Sequence, residues 1–227
     1  MASTIAPHGL LPKLQNDQPL KLGALVFNES DLLDIMGPMR IFGEEMNELK
    51  IQINFITVND TLAPISTSQK VEITPRYTLK DAPPMDIWFM PGGIGTRVLC
   101  RDPNIMEQIT PRLEHATWVM TVCTGAGMLA KSGLIDGYNA TTNKAVFEWA
   151  ACEGPNVNWI KRARWVQDGK FVTSSGVSAG IDAALYIVSE LKGIEIAEKV
   201  SREIEYTWHR NADEDPFADM YEYTRQG

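Results

Sequence analysis

Apolar residues fall into two rhythms along the chain. Short continuous runs bounded by polar or turn residues recur at Lys21–Phe27, Gln52–Val58, Asp86–Met90 and Thr117–Val122, the pattern of strands buried on both faces of a parallel sheet. Other apolar positions return at helical spacing. Asp31 and Asp34 precede Ile35, Met36, Met39, Ile41 and Phe42, a broad apolar face. Pro38 lacks a backbone donor, so it is expected in the first turn of that helix. Ile105–Leu113, Gly125–Lys131, Val177–Leu191 and Ile194–Tyr206 read as further helices, the last two separated by the stop Lys192-Gly193. Trp159–Ser174 reads as two strands joined at Asp168-Gly169, a favoured hairpin turn. Strands alternating with helices predict an α/β domain, a mainly parallel sheet covered by helices on both faces. The first 20 residues carry no period and are expected to form a loosely held arm. The domain is expected over residues 21–208. A tail over 209–227 holds Phe217, Tyr221 and Tyr223, which can pack on the body or on a second subunit.

Composition narrows the function. The 227 residues are 44% apolar and 22% charged, which excludes disorder as the default. With 29 acidic and 21 basic side chains the net charge is −8, a balance that argues against a nucleic-acid-binding surface. Lys161, Arg162 and Arg164 form the one basic knot and read as a solvated strand edge. Cys100, Cys123 and Cys152 are an odd number without CxxC spacing, so neither a disulfide framework nor a structural zinc is expected. No apolar run reaches the ~18–20 residues of a membrane span, and the first residues do not read as a signal peptide. The expectation is a cytoplasmic protein with no membrane and no nucleic-acid partner.

Chemistry concentrates at the end of the fourth strand. Val119-Met120-Thr121-Val122 runs straight into Cys123, followed by Thr124-Gly125-Ala126-Gly127. In a doubly wound sheet ligands bind at the carboxyl ends of the strands, where loops meet helix N-termini. A cysteine there would meet unpaired backbone N–H groups, which lower a thiol pKa, and the small residues permit the tight turn of a nucleophile elbow. The plainer possibility is a core cysteine at a strand end. Pro91-Gly92-Gly93-Ile94-Gly95 follows the third strand and is the second candidate wall; its N–H groups could form an oxyanion-type hole, or it is simply a turn. It lacks the Gly-Lys-Ser/Thr ending of a P-loop.

Five ordered motifs then carry a resemblance: Asp34-Ile35-Met36-Gly37-Pro38; Phe89-Met90-Pro91-Gly92-Gly93; Val122-Cys123-Thr124-Gly125; Leu134-Ile135-Asp136-Gly137 with Ala140-Thr141-Thr142; and Ser175-Gly176-Val177-Ser178-Ala179-Gly180-Ile181-Asp182. In these the chain resembles the DJ-1/PfpI superfamily, related to class I glutamine amidotransferase domains, and within it the isocyanide hydratase branch. The resemblance implies a flavodoxin-like three-layer sandwich and a homodimer that needs no cofactor and no metal. It puts the nucleophile on Cys123 and a general acid/base on Asp34. Gly92, Gly93, Ile94, Thr124, Met36 and Asn143 fall around a small-molecule substrate. The same D-x-x-G-P and S-G-x-x-A-G-x-D pattern occurs in AraC-type regulators, which need a helix-turn-helix module of ~100 residues downstream; a stand-alone enzyme is expected instead.

The implied reaction is hydration of an isocyanide to an N-substituted formamide through a covalent thioimidate. Asp34 would shuttle the proton, for which its pKa should be raised; alternatively it is a helix N-cap, although Asp31 is better placed as one. Many relatives carry His after the Ala-Thr-Thr element, where this chain has Asn143. His8, His115 and His209 lie elsewhere, so a Cys-His-Asp triad lacks its base. Asn143 either lines the pocket or stabilises a turn. Two alternatives stay open: glyoxalase-type chemistry on a small electrophilic carbonyl, and a non-catalytic redox-sensing cysteine. Cys100 and Cys152 read as small packed or partly exposed thiols, and Ser178 and Asp182 as structural.

Overall fold

The computed structural model describes residues 19–44 and 50–219; residues 1–18 of the expected arm, and Tyr221 and Tyr223 of the tail, lie outside the described residues. In chain order the elements are β1 (Leu20–Val26), α1 (Leu32–Phe42), β2 (Ile51–Thr57), β3 (Ile65–Ser66), β4 (Glu72–Ile73), β5 (Tyr77–Thr78), β6 (Ile87–Met90), α2 (Thr96–Leu99) and α3 (Pro103–His115). They continue with β7 (Trp118–Val122), α4 (Gly125–Lys131), β8 (Asn139–Ala140), α5 (Phe147–Glu153), β9 (Asn158–Trp159), β10 (Trp165–Asp168), β11 (Phe171–Ser174), α6 (Ala179–Lys192) and α7 (Ile194–Glu203).

Seven strands form one sheet in the order β10-β11-β7-β6-β1-β2-β5. All neighbours are parallel except the β10–β11 hairpin at one edge. Period-two alternation sends side chains to opposite faces of each strand. Ile87, Phe89, Trp118, Met120 and Val122 pack with α1, α6 and α7. Trp88, Met90 and Val119 pack with α2, α3 and α4. The fold is therefore α/β and flavodoxin-like, with a core on each side of the sheet.

From β1 the chain moves outward to β2, then returns to place β6 on the other side of β1. This reversal of strand order opens a crevice at the carboxyl ends of β1 and β6. The loops after β1, β6 and β7 converge there.

Two of the sequence motifs meet as a helix contact. Pro38 lies in the middle of α1 rather than in its first turn, because Asp31 caps the helix seven residues earlier by accepting the N–H groups of Leu33 and Asp34. A Cβ on Gly37 would stand 2.8 Å from Ile181, and one on Gly180 would stand 3.1 Å from Pro38 and 2.6 Å from Val122. The glycines of the two motifs thus let α1 and α6 approach closely over the end of β7.

Three further differences from the expected elements have physical causes. Trp159 is not part of the hairpin: β9 pairs in parallel with β8, and the hairpin begins only at Trp165. The two-residue strands β3, β4, β5, β8 and β9 are too short to display a period. Arg164 is not a solvated edge residue but is buried, with its guanidinium 2.8 Å from Asp182. Among the described residues, no helix is long and apolar enough to cross a membrane.

Candidate active site

β7 delivers Cys123 into a sharp bend. Its backbone takes a left-handed φ of 57°, a conformation that costs a non-glycine residue ~1–2 kcal/mol. The bend is held from outside: the Cys123 N–H donates to the carbonyls of Ser174 and Ser175 at 3.2 and 3.0 Å. Gly125 is obligatory here, since a Cβ would stand 2.3 Å from the Met90 carbonyl oxygen. The strained turn feeding α4 is the nucleophile-elbow arrangement.

Four groups surround the sulfur. The Asn143 amide donates to Sγ at 3.1 Å, and the backbone N–H groups of Thr124 and Val177 also point at it. The fourth is the Asp34 carboxyl. Val177 itself has a φ of 42°, unusual for a β-branched residue, and this conformation aims its N–H at the sulfur. Gly176 makes room for Asn143, because a Cβ there would stand 2.5 Å from the amide nitrogen.

Asp34 is wholly buried. Its Oδ2 accepts the Gly92 N–H at 2.8 Å. Its Oδ1 is buried without a conventional hydrogen bond, leaving the Cys123 thiol as the polar group beside it. Burial, with Asp31 nearby, raises the carboxyl pKa from the usual 3.8 to about 8. Burial and the facing Asp34 also raise the thiol pKa. The expected lowering of the thiol pKa by backbone dipoles does not hold: N–H groups do favour the thiolate, but desolvation outweighs them. Burial thus favors the proton-bearing form of both partners, which lie side by side.

The other predicted site residues divide. Asn143 touches the sulfur and, through its Oδ1, also accepts the Ala145 N–H at 2.8 Å, so it serves the site and its own turn at once. The Gly92 and Gly93 N–H groups are not free for a substrate oxyanion: one holds Asp34, and the other donates to Thr124 Oγ1 at 3.0 Å. A Cβ on Gly92 would stand within 2.8 Å of both Thr124 and Asp34, so the loop after β6 is a clamp between the Cys123 turn and the Asp34 carboxyl. The Thr124 hydroxyl faces Gly93 and Thr96 rather than the sulfur, which only its backbone N–H addresses. Ile94 and Met36 are exposed. His115 contacts the Pro111 carbonyl and His209 that of Glu214, so neither serves the thiol. Among the described residues no group of three or more His, Cys, Asp or Glu side chains could hold a metal ion.

A cleft of about 210 Å³ lies beside this center and shares Asn143 and Val177 with it; Lys144, Gly176, Ser178 and Phe217 are among its other lining residues. Behind it lies a buried ionic network that sequence reasoning missed. Arg164 pairs with Asp182, and both Arg164 and Lys144 stand within 4 Å of Asp215. Desolvation lowers the Lys144 pKa to about 8. These residues lie far apart in sequence, so no local spacing announces them.

Comparison with known proteins agrees with this geometry. Residues 21–190 match the model of the DJ-1/PfpI family. Isonitrile hydratase of Pseudomonas putida is 31% identical over 188 residues, covering 82% of this chain and 78% of that protein. The Parkinson disease protein 7 homolog of Danio rerio is 30% identical over 141 residues, 60% of this chain and 74% of that one. Among solved structures, a THiJ/PfpI family protein from Pseudomonas syringae superposes with a TM-score of 0.76 at 25% identity, covering 97% of this chain and 94% of that one.

Proposed function

The chain belongs to the DJ-1/PfpI family, and from that premise we propose that it is a cofactor-free isocyanide hydratase, converting R–N≡C and water to R–NH–CHO. The observation that carries this reading is the buried Asp34 carboxyl facing the Cys123 thiol, with no histidine beside the thiol among the described residues. A Cys-His enzyme stores its thiolate as an ion pair. A thiol facing a protonated carboxyl is suited instead to adding S–H across one carbon atom.

In the proposed sequence Sγ attacks the terminal isocyanide carbon. Asp34 accepts the thiol proton at one oxygen while its own proton passes to that carbon, giving the thioimidate R–N=CH–S–Cys123. The Asn143, Thr124 and Val177 N–H groups support the negative charge that develops on sulfur. Water then adds to the same carbon, with its proton passing to nitrogen by way of Asp34. The tetrahedral adduct expels the cysteine sulfur, which recovers a proton from the hydroxyl, and the formamide leaves. The atoms of one isocyanide and one water appear in the product.

The relative named isonitrile hydratase supports the substrate class. Purified protein given an alkyl or aryl isocyanide should consume it and release the matching formamide. A protein that leaves every isocyanide unchanged would refute the proposal. The same reading carries a homodimer in a reducing cytoplasm, the first of which sedimentation velocity checks.

A further inference from the structure

The family match ends at residue 190, yet the cleft beside the Cys123 turn is lined in part by Phe217, beyond it. After α7 the chain folds back across the body. The Tyr206 hydroxyl and the His209 N–H donate to Asp182 Oδ1 at 3.1 and 3.0 Å, and the Trp208 indole donates to the Asp182 carbonyl at 3.2 Å. The Ala212 carbonyl then accepts the Arg164 N–H, and the Asp215 N–H donates to the Arg162 carbonyl at 2.8 Å.

Asp215 is the anchor. It is 4% exposed and lies 3.7 Å from Lys144 Nζ and 3.6 Å from Arg164 Nη1. It also accepts the Ser175 hydroxyl, and the Ser175 carbonyl in turn accepts the Cys123 N–H. The strap is thus tied to the backbone of the nucleophile's own turn. Two residues on, the Phe217 N–H donates to Asp215 Oδ1 at 3.1 Å. Its ring lies over the Arg164 guanidinium at 5.9 Å and lines the cleft beside Asn143 and Val177, two of the residues that address the sulfur.

Resting on the hydratase reading above, we propose that Phe217 is a specificity-determining residue: strap 212–219 presents its ring to the N-substituent of an isocyanide held at Cys123 and selects apolar, ring-sized substituents. Three observations favor this. Phe217 is a large apolar side chain left 45% exposed at the edge of the cleft, so a ligand there would cover apolar area now in contact with water. The buried cations behind the cleft are matched by carboxylates, Lys144 by Asp215 and Arg164 by Asp182, so they offer no excess positive charge to an anionic substituent. The volume of about 210 Å³ lies below the ~300–1,000 Å³ typical of sites for drug-sized ligands, which limits the substituent to a small group.

The test compares wild type, Phe217→Ala and Phe217→Leu. Cys123 is alkylated with iodoacetamide and with N-phenyl iodoacetamide, and the same variants are assayed on methyl and benzyl isocyanide. Phe217→Ala should lower the phenyl-to-small rate ratio in alkylation, and the benzyl-to-methyl ratio in kcat/KM, by about tenfold; Phe217→Leu should recover part of both. Unchanged alkylation ratios at Cys123, read by peptide mass mapping, would overturn the assignment. If isocyanides are not hydrated but the alkylation ratio still shifts, the proposed reaction falls while the strap's selectivity stands.

Discussion

Replacing Asp34 by Asn should make the protein more stable at neutral and alkaline pH while crippling its chemistry. In the folded chain burial holds the proton on Asp34 up to about pH 8, against 3.8 for an ordinary aspartate. The unfolded chain releases it near 4. Between those values the folded state binds more protons than the unfolded one, so wild-type stability falls as pH rises through that window. A shift of about four pH units at 1.36 kcal/mol each sets a ceiling of about 5–6 kcal/mol. Relaxation around a charged carboxylate lowers this, and about 2–4 kcal/mol is expected. Asn keeps the shape and an acceptor for the Gly92 N–H but has no proton to lose. Urea-unfolding midpoints of the two proteins, measured from pH 4.5 to 8.5, should therefore converge at the acid end and diverge toward pH 8, with Asp34→Asn the more stable. Parallel curves, or a wild type that gains on the variant as pH rises, would mean that Asp34 is an ordinary ionised carboxylate, and the proton shuttle would lose its basis.

Asn143→Ala removes the one side-chain amide that, among the described residues, donates to Sγ; kcat should fall about 10–100-fold with KM little changed, as steady-state kinetics would reveal. The pH profile of kcat/KM should fall on the alkaline side with an apparent pKa near 8, because the carboxyl proposed to protonate carbon loses its proton there. A profile that rises steadily to pH 9.5 would instead indicate a free thiolate as the sole requirement. Asp182→Ala leaves the Arg164 guanidinium without its nearest carboxylate and also frees the Tyr206 and His209 contacts. It should cost about 3–5 kcal/mol in chemical denaturation, as breaking a buried pair does.

Sequence reasoning read the main sheet well because β1, β6 and β7 are continuous apolar runs, and buried parallel strands are distinctive in that way. It also read Asp31 as the cap of α1, since Asp fills that position readily. It misplaced Pro38, because a proline gives no sign of whether a neighboring helix makes room for its ring; Gly180 does so from more than a hundred residues away. It identified Cys123, Asp34 and Asn143, which meet in space, but read the wrong sign for the thiol. The strand-end pattern announces backbone N–H groups, whereas the depth of burial that defeats them is a property of the whole fold. Val177 escaped for a related reason: its contribution is a backbone conformation and a single N–H, which no residue type encodes. The Lys144–Asp215–Arg164–Asp182 cluster draws on four separate segments, so Arg164 looked like a solvent-facing charge.

In the proposed reaction Cys123 Sγ becomes bonded to the carbon of the substrate. Rapid-quench mass spectrometry of the intact protein mixed with excess isocyanide tests it directly. The mass should rise by that of one whole isocyanide, map to the peptide containing Cys123, and decay as formamide appears, with neither adduct nor turnover in Cys123→Ala. Formamide produced at the wild-type rate by Cys123→Ala, with no adduct at any time, would contradict it.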